Sequence, residues 1–499
     1  MTTLRAQTAP PTPSYTPGYR NLVLWLLVVA YTFNFIDRTI IATIGQAIKV
    51  DLKLTDTELG WLGGLAFALL YTTLGIPIAR LAERTSRVNI ITIAIIIWSG
   101  FTALCGTATS FVQLLLYRVG VGVGEAGLSP PAHSLISDYF EPTKRASALS
   151  IYSFGIPLGA MFGAVAGGWI AQNISWQAAF MLVGLPGVII AVVIKLVVKE
   201  PPRGWSDRLP DSTASEPPGA LGREASDAGA PAAPEAPAAG PPSVLAVAKR
   251  LFGSWGMFHM AAGITMASFA GYGTGQYAPP YFIRMFGLDL ATVGLVIGVV
   301  GGLSNGAGTL LGGFLTDWAS RRSPRWYALV PAIGLLVATP LYILAYTRES
   351  WQLAAGLLLI PGIFHYTYLG PTFGVVQNVM DVRMRATAVA LLFFVLNLIA
   401  LGFGPPFCGW CIDQFSRIAF TMGDFFAMCP GGIGKEGLGP AVDAACKAAM
   451  AEGTRQGIVV NLLIYAWAGV HYLLAAITLP KDIARARAAA EAADAMTAR

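Results

Sequence analysis

Two oppositely charged residues stand side by side at Asp37-Arg38, inside the apolar stretch NLVLWLLVVAYTFNFIDRTIIATIGQA (residues 21–47). A second apolar stretch, VQLLLYRVGVGVGEAGLSPPAHSLI (112–136), holds Arg118 and Glu125. A charge at mid-bilayer costs about 2.5–3.5 kcal/mol even on lenient insertion scales, so such residues face a partner or a watery path. A carboxyl that leaves water holds its proton and a nearby guanidinium releases it, so a cleft that opens and closes can load and unload one. That is the chemistry of a proton-coupled carrier. Glu125 is the first choice for the coupling group, unless it is tied permanently to Arg38 or Arg118. Asp37 is either a second proton site or the counter-ion that lets Arg38 sit in the membrane. Arg38 and Arg118 are the expected anion-binding residues. At 1.5 Å per residue, Arg38 lies about 13 Å and Glu125 about 20 Å below the same membrane face, a gap that an Arg side chain can bridge.

The rest of the chain must hold these groups in a membrane. Of its 499 residues, 55% are hydrophobic and 12% charged, against about 25% charged in soluble domains; the mean hydropathy is +0.60. Spans of about 20 apolar residues cross about 30 Å of hydrocarbon. Twelve are expected, near 21–47, 58–80, 89–110, 112–136, 146–171, 177–198, 252–282, 291–315, 326–346, 352–379, 386–411 and 457–479. Residues 1–20 are Pro/Thr-rich with no cleavable signal, so the first span is read as a retained anchor. Residues 201–242 hold ten prolines among Ser, Ala and Gly and read as a cytoplasmic linker without a core.

The expected organisation is therefore a 1–20 tail, a 21–200 bundle, a 201–245 linker, a 246–480 bundle with an outer loop near 414–455, and a 481–499 tail. If the N-terminus is cytoplasmic, the short inner loops carry ten Lys or Arg and the short outer loops four, namely Lys49, Lys53, Arg284 and Arg348. The positive-inside rule then puts both termini in the cytoplasm. Topology accounts for much of the net charge of +6, and no nucleic-acid partner is implied. Cys105, Cys408 and Cys411 read as packing residues, and the Cys408/Cys411 pair lacks partners at zinc spacing. Cys429 and Cys446 share the last outer loop, where they are either bonded or free.

The two halves echo each other. ARLAERTSRV (79–88) after span 2 matches GFLTDWASRR (313–322) after span 8, and EPTKRASAL (141–149) matches DVRMRATAV (381–389), at offsets of 234 and 240 residues. Duplicated six-span halves mark secondary transporters with a site between the halves. The loop pattern G-x-L-x-D-R-x-x-R-R resembles Ala79 to Val88, with Glu83 in place of Asp, and Gly313 to Arg322, which keeps Asp317 but lacks the following Arg. The chain is accordingly similar to the major facilitator superfamily outside its tails and linker. RVGVGVGEAGLSPPAHSLISDYF with the following Arg145, together with the Asp37-Arg38 pair, resembles the Spinster-like branch. The resemblance implies an all-α fold of twelve transmembrane helices in two six-helix bundles. It also implies that Glu83 and Arg84 near Arg145, and Asp317 near Arg385, form gating salt bridges at the inner loops. For Arg118 it implies either proton coupling or a local structural role.

No Asp, Glu, Lys or Arg sits mid-span in spans 7–12. Their polar residues, His259, Gln276, Asn305, His365, Asn378 and Asn397, each read as helix–helix contacts. Arg87, Arg321, Arg322 and Arg325 read as solvated, topology-setting charges. Gly155, Gly159, Gly163 and Gly167 form a ridge that admits a close helix, and the Gly/Pro runs of spans 7 and 11 are hinges or packing kinks. The whole is read as a monomeric, non-enzymatic secondary transporter of the plasma membrane, or of the inner membrane in a bacterium. It needs no cofactor beyond the coupling proton. The expected substrate is an amphipathic anion such as a lysophospholipid or sphingoid phosphate, and the alternative is an organic-anion or multidrug exporter. A non-transporting receptor or a membrane-embedded enzyme is the remote alternative; the four His are scattered and no nucleophile–base set stands out.

Overall fold

The computed structural model describes residues 15–141, 148–149, 151–203, 205, 243–380 and 384–497, and these are almost entirely helical. The first half contains α1 (Pro17–Asp51), α2 (Asp56–Gly63), α3 (Leu65–Arg84), α4 (Arg87–Cys105), α5 (Phe111–Glu125), α6 (Ser129–Tyr139), α7 (Gly155–Asn173) and α8 (Trp176–Val197). After the linker come α9 (Val244–Phe252), α10 (Trp255–Phe286), α11 (Leu290–Ser320), α12 (Trp326–Tyr346), α13 (Trp351–Tyr366), α14 (Leu369–Val379), α15 (Arg385–Val395), α16 (Gly402–Ala419), the short α17 (Phe425–Met428) and α18 (Pro440–Thr497). Broken spans pair α2 with α3, α5 with α6, α13 with α14, and α15 with α16. Twelve spans result. Eleven are long and apolar enough to cross a membrane; the remaining one, α10, has 32 residues but carries His259, Gln276 and the Gly271–Gly275 run.

Local chemistry sets the ends and breaks. The Thr16 hydroxyl accepts from the Tyr19 N–H with Pro17 in the first turn, and a Thr55/Glu58 capping box starts α2, each satisfying N–H groups that no helix partner can reach. In span 4 the helix stops at Glu125 and restarts at Ser129 with Pro130-Pro131, whose nitrogens cannot donate. In span 11 the same shortage at Pro405-Pro406 accompanies a π-turn at Leu396–Leu401.

Two large buried apolar clusters form, one drawn from residues 23–198 and the other almost wholly from residues 247–483, and a third, smaller one gathers Phe420, Phe425, Val442 and Met450 around Cys429 and Cys446. Gly155, Gly159, Gly163 and Gly167 seat α7 on α1, where added Cβ atoms would crowd Val28, Thr32, Ile36 and Ile40. That ridge fixes the rotation of α1 and with it the aim of Asp37 and Arg38.

Two features differ from the sequence expectations, and the alternative left open for Cys429 and Cys446 is decided. The helix α18 starts at Pro440, inside the segment read as an outer loop, because that stretch is Ala-rich and helix-prone although polar. Cys429 and Cys446 are bonded with their Cα atoms 5.6 Å apart, while Cys105, Cys408 and Cys411 are free and buried. Arg87 is not solvated: it is 1% exposed, pairs with Asp138 and with Glu200 at 2.7 Å, and donates to the Ser134 hydroxyl at 2.8 Å. The sequence signal for that burial is weak, since Glu200 meets Arg87 only after span 6 returns.

Candidate functional site

The four ionisable residues of spans 1 and 4 converge, and they pair crosswise. Neighbours on a helix point about 100° apart, so Asp37 and Arg38 cannot pair with each other. Instead the Arg38 Nε donates to Glu125 Oε2 at 2.6 Å, and the Arg118 Nη1 donates to Asp37 Oδ1 at 3.3 Å. Asp37 is thus the counter-ion of Arg118, not of Arg38. The Thr102 hydroxyl of α4 also donates to Asp37, and the Arg118 Nε reaches the Leu62 carbonyl at 3.5 Å. Asp37, Arg118 and Glu125 are each 1% exposed. Glu125 keeps one oxygen, Oε1, without a partner.

Aromatic faces complete the site. The Arg38 guanidinium lies 4.4 Å from the Tyr71 ring centroid, 4.8 Å from Phe67 and 5.0 Å from Phe35, a setting in which ring quadrupoles stabilise the cation. Its side chain keeps 18% exposure where Glu125 has none. Tyr272 of α10 is exposed and lies within electrostatic reach of Arg38 and Tyr71 from the other half. Arg38 therefore faces a cleft between the halves, and Glu125 sits behind it.

A second charge cluster went unread in the sequence. Here the face bearing both chain ends is termed terminal and the opposite face distal. At the distal face Arg284 grips Asp56 with both arms, at 2.7 and 3.1 Å, and donates to Gln46 and Thr454, each at 2.8 Å. Lys49 donates to Asp56 at 2.6 Å. Asp413 of α16 accepts the N–H groups of Asp56 and Thr57 at 2.9 and 2.8 Å and the Thr57 hydroxyl at 2.6 Å, so it caps α2 from the other half. Tyr277 donates to the Asp56 carbonyl. Lys49 and Arg284 were expected as loop charges, but their side chains are 2% and 3% exposed. Among the described residues, the hydrogen bonds joining the halves lie at this face. Gly60 and Gly64 tighten it against Pro405, Pro406 and Leu401, where Cβ atoms would come within 3 Å of backbone.

The expected inner-loop gate is placed only in part. Arg84 ends α3 and is exposed, and Asp317 is exposed near the end of α11. Glu83 lies in α3 and Arg385 opens α15, while Arg145 lies outside the described residues. Arg322, expected as a solvated charge, stacks on Trp318 at 4.3 Å. Among the described residues no group of three or more His, Cys, Asp or Glu could hold a metal.

Twelve spans in two bundles, joined at one face and carrying a buried ionic site between spans 1 and 4, define the class of multi-pass secondary transporters. Residues 27–427 match the Major Facilitator Superfamily, and the chain belongs to it. It is 30% identical over 391 residues to an MFS-type efflux pump of Mycolicibacterium smegmatis, covering 78% of this chain and 84% of that one. It is 25% identical over 420 residues to protein spinster homolog 1 of Xenopus tropicalis, covering 80% of this chain and 74% of that one. The crystal structure of a bacterial homolog to the human lysosomal transporter Spinster, inward-facing and unoccupied, superposes with a TM-score of 0.82 at 33% identity, over 94% of this chain and 99% of that one.

Proposed function

We propose that the chain is a proton-coupled transporter of an amphipathic anion, such as a single-chain lipid phosphate, working by alternating access with the terminal face in the cytoplasm. The observation that carries this is the Arg38–Glu125 pair, in which the cation is open to the cleft and the acid is not. An anion that takes Arg38 leaves Glu125 buried without its counter-charge, and an isolated buried carboxylate takes up a proton. Substrate and proton are thereby exchanged through one guanidinium. Opposite the ionic wall, α10 presents the exposed Tyr272, and Tyr366 of α13 lies within electrostatic reach of it, aromatic surface suited to an alkyl chain. The ten-to-four distribution of loop Lys and Arg supports the orientation.

Arg38→Lys keeps the charge but loses the planar fork that grips a phosphate with two bonds. Isothermal titration with n-alkyl phosphates of increasing length is expected to show affinity rising with each buried CH₂, by about 0.8 kcal/mol until the cleft is filled. Arg38→Lys should weaken every member of the series. Affinity that is flat in chain length, or tighter for short organic acids, would shift the reading to an organic-anion or multidrug exporter, which the likeness to the M. smegmatis efflux pump favours.

A further inference from the structure

Lys49 stands at the end of span 1, where water would ordinarily reach it, yet its side chain is 2% exposed. What covers it is the connection between spans 11 and 12. That connection runs from α17 through a single turn at Pro430–Gly432 to the first turns of α18, and Cys429 and Cys446 are bonded across it, 17 residues apart. Phe420, Phe425, Val442, Ala449 and Met450 pack around the bond, and both cysteines are buried. Within the connection the Lys435 N–H donates to the Met428 carbonyl at 2.8 Å, and the Gly434 N–H donates to Asp443 Oδ1 at 2.9 Å. It is a body with a small apolar core of its own.

This body crosses to the first half at two points. Gly431 and Gly432 have φ of 68° and 88°, a conformation that glycine adopts at little steric cost. The turn they make lays backbone against the end of α1: a Cβ added to Gly431 would lie 3.0 Å from the Lys49 carbonyl oxygen, 3.2 Å from the Lys53 Cα and 3.4 Å from the Val50 Cα. The second point is Met450. The Lys49 Nζ that donates to Asp56 at 2.6 Å also donates to Met450 Sδ at 3.7 Å. A Cβ on Gly432 would come within 3 Å of the Met450 side chain, so the two contacts brace each other. Thr454, one turn further along α18, accepts from Arg284 at 2.8 Å. Ion pairs that water reaches contribute little and are screened by salt, whereas pairs kept from water are screened far less.

We propose that residues 429–450 form a lid over the distal gate, pinned by the Cys429–Cys446 bond, and that the lid keeps water from the contacts among Lys49, Asp56 and Arg284. The bond lies wholly within the second half, so it does not tie the halves together. It acts by holding Gly431 and Met450 at the level of Lys49. When the distal face opens, the lid withdraws with the second half and leaves Lys49 and Asp56 to water. This role is independent of the substrate and of the coupling proton.

The test removes the pin without touching a charge. In the full chain, the double variant Cys429→Ser, Cys446→Ser should lengthen the distances between spin labels at Thr107 and Glu349, on opposite halves at the distal face. The distances should also become salt-dependent. Raising the ionic strength from about 0.1 to 1 M shortens the screening length from about 10 to 3 Å; that should lengthen them further in the variant and leave wild type unchanged. Gly431→Ala keeps the bond but crowds the turn off α1, so it should acquire the same salt response, and it carries the test alone if the double variant does not fold. Distances that match wild type at every salt concentration overturn the lid. Distances lengthened equally at low and high salt overturn it too, because the connection then acts by packing and not by excluding water.

Discussion

Two quartets of charge, each with two cations and two anions, are put to different mechanical use. Asp37, Arg38, Arg118 and Glu125 all belong to α1 and α5 and so move as one body with the first half. Lys49 and Asp56 come from the first half and Arg284 and Asp413 from the second, so the Arg284–Asp56 pair and the Asp413 cap on α2 break whenever the distal face opens, while Lys49 stays with Asp56. The first quartet can change its protonation or take a ligand without parting any helices. The second cannot be disturbed without loosening the seal. What separates the roles is where each set lies relative to the plane between the halves, not the number or type of its charges.

The largest effect is expected at the distal quartet. Arg284→Ala leaves Asp56 buried with Lys49 alone, and breaking a buried pair from one side costs about 3–5 kcal/mol. The seal should weaken by an amount of that order. Double electron–electron resonance between labels at Thr107 and Glu349, in exposed distal loops, should shift to longer distances. An unchanged distribution would mean that the glycine contacts around Gly60 and Gly64 hold the face without the ions.

Glu125→Gln should separate the quartets most clearly. Gln keeps the size and hydrogen bonding of a protonated Glu but has no proton to release. Uptake driven by a pH gradient in liposomes should be lost, substrate binding should survive, and the Thr107–Glu349 distances should stay as in wild type. A mutant that moves protons and substrate at the wild-type ratio would make the Arg38–Glu125 bond structural.

How much of this was readable from sequence depends on whether partners lie along the chain or across the fold. Asp37, Arg38, Arg118 and Glu125 stood out because each is costly in hydrocarbon on its own. The crosswise pairing did not, since it depends on the rotation that the α7 glycine ridge imposes on α1. Lys49, Asp56, Arg284 and Asp413 sit at span ends, where a charge is unremarkable on hydropathy, and nothing local links Asp56 to Arg284 more than 200 residues away. The breaks at Glu125 and His365 were marked by nearby prolines. The twelve-span architecture was legible because apolar length is a property of each segment alone.

The smallest effect is expected at the terminal face, and it closes the comparison with the distal seal. We propose that Asp317 pairs with Arg385, and Glu83 with Arg145, when the terminal face is shut. In the state described here the halves are joined at the distal face, and Asp317 is exposed. An exposed charge contributes about 0–1 kcal/mol at most, so Asp317→Ala should leave the thermal stability of this state nearly unchanged. The cost should fall instead on the opposite state, which loses a contact that this one does not use. Populations should therefore shift toward the arrangement seen here, by no more than about 1 kcal/mol. Labels on Arg84 and Arg321, both exposed near the terminal face, would report that as a modest gain in the longer-distance population. A shift toward shorter distances would show that Asp317 repels the opposing half rather than holding it, and would reverse the sign of the gate.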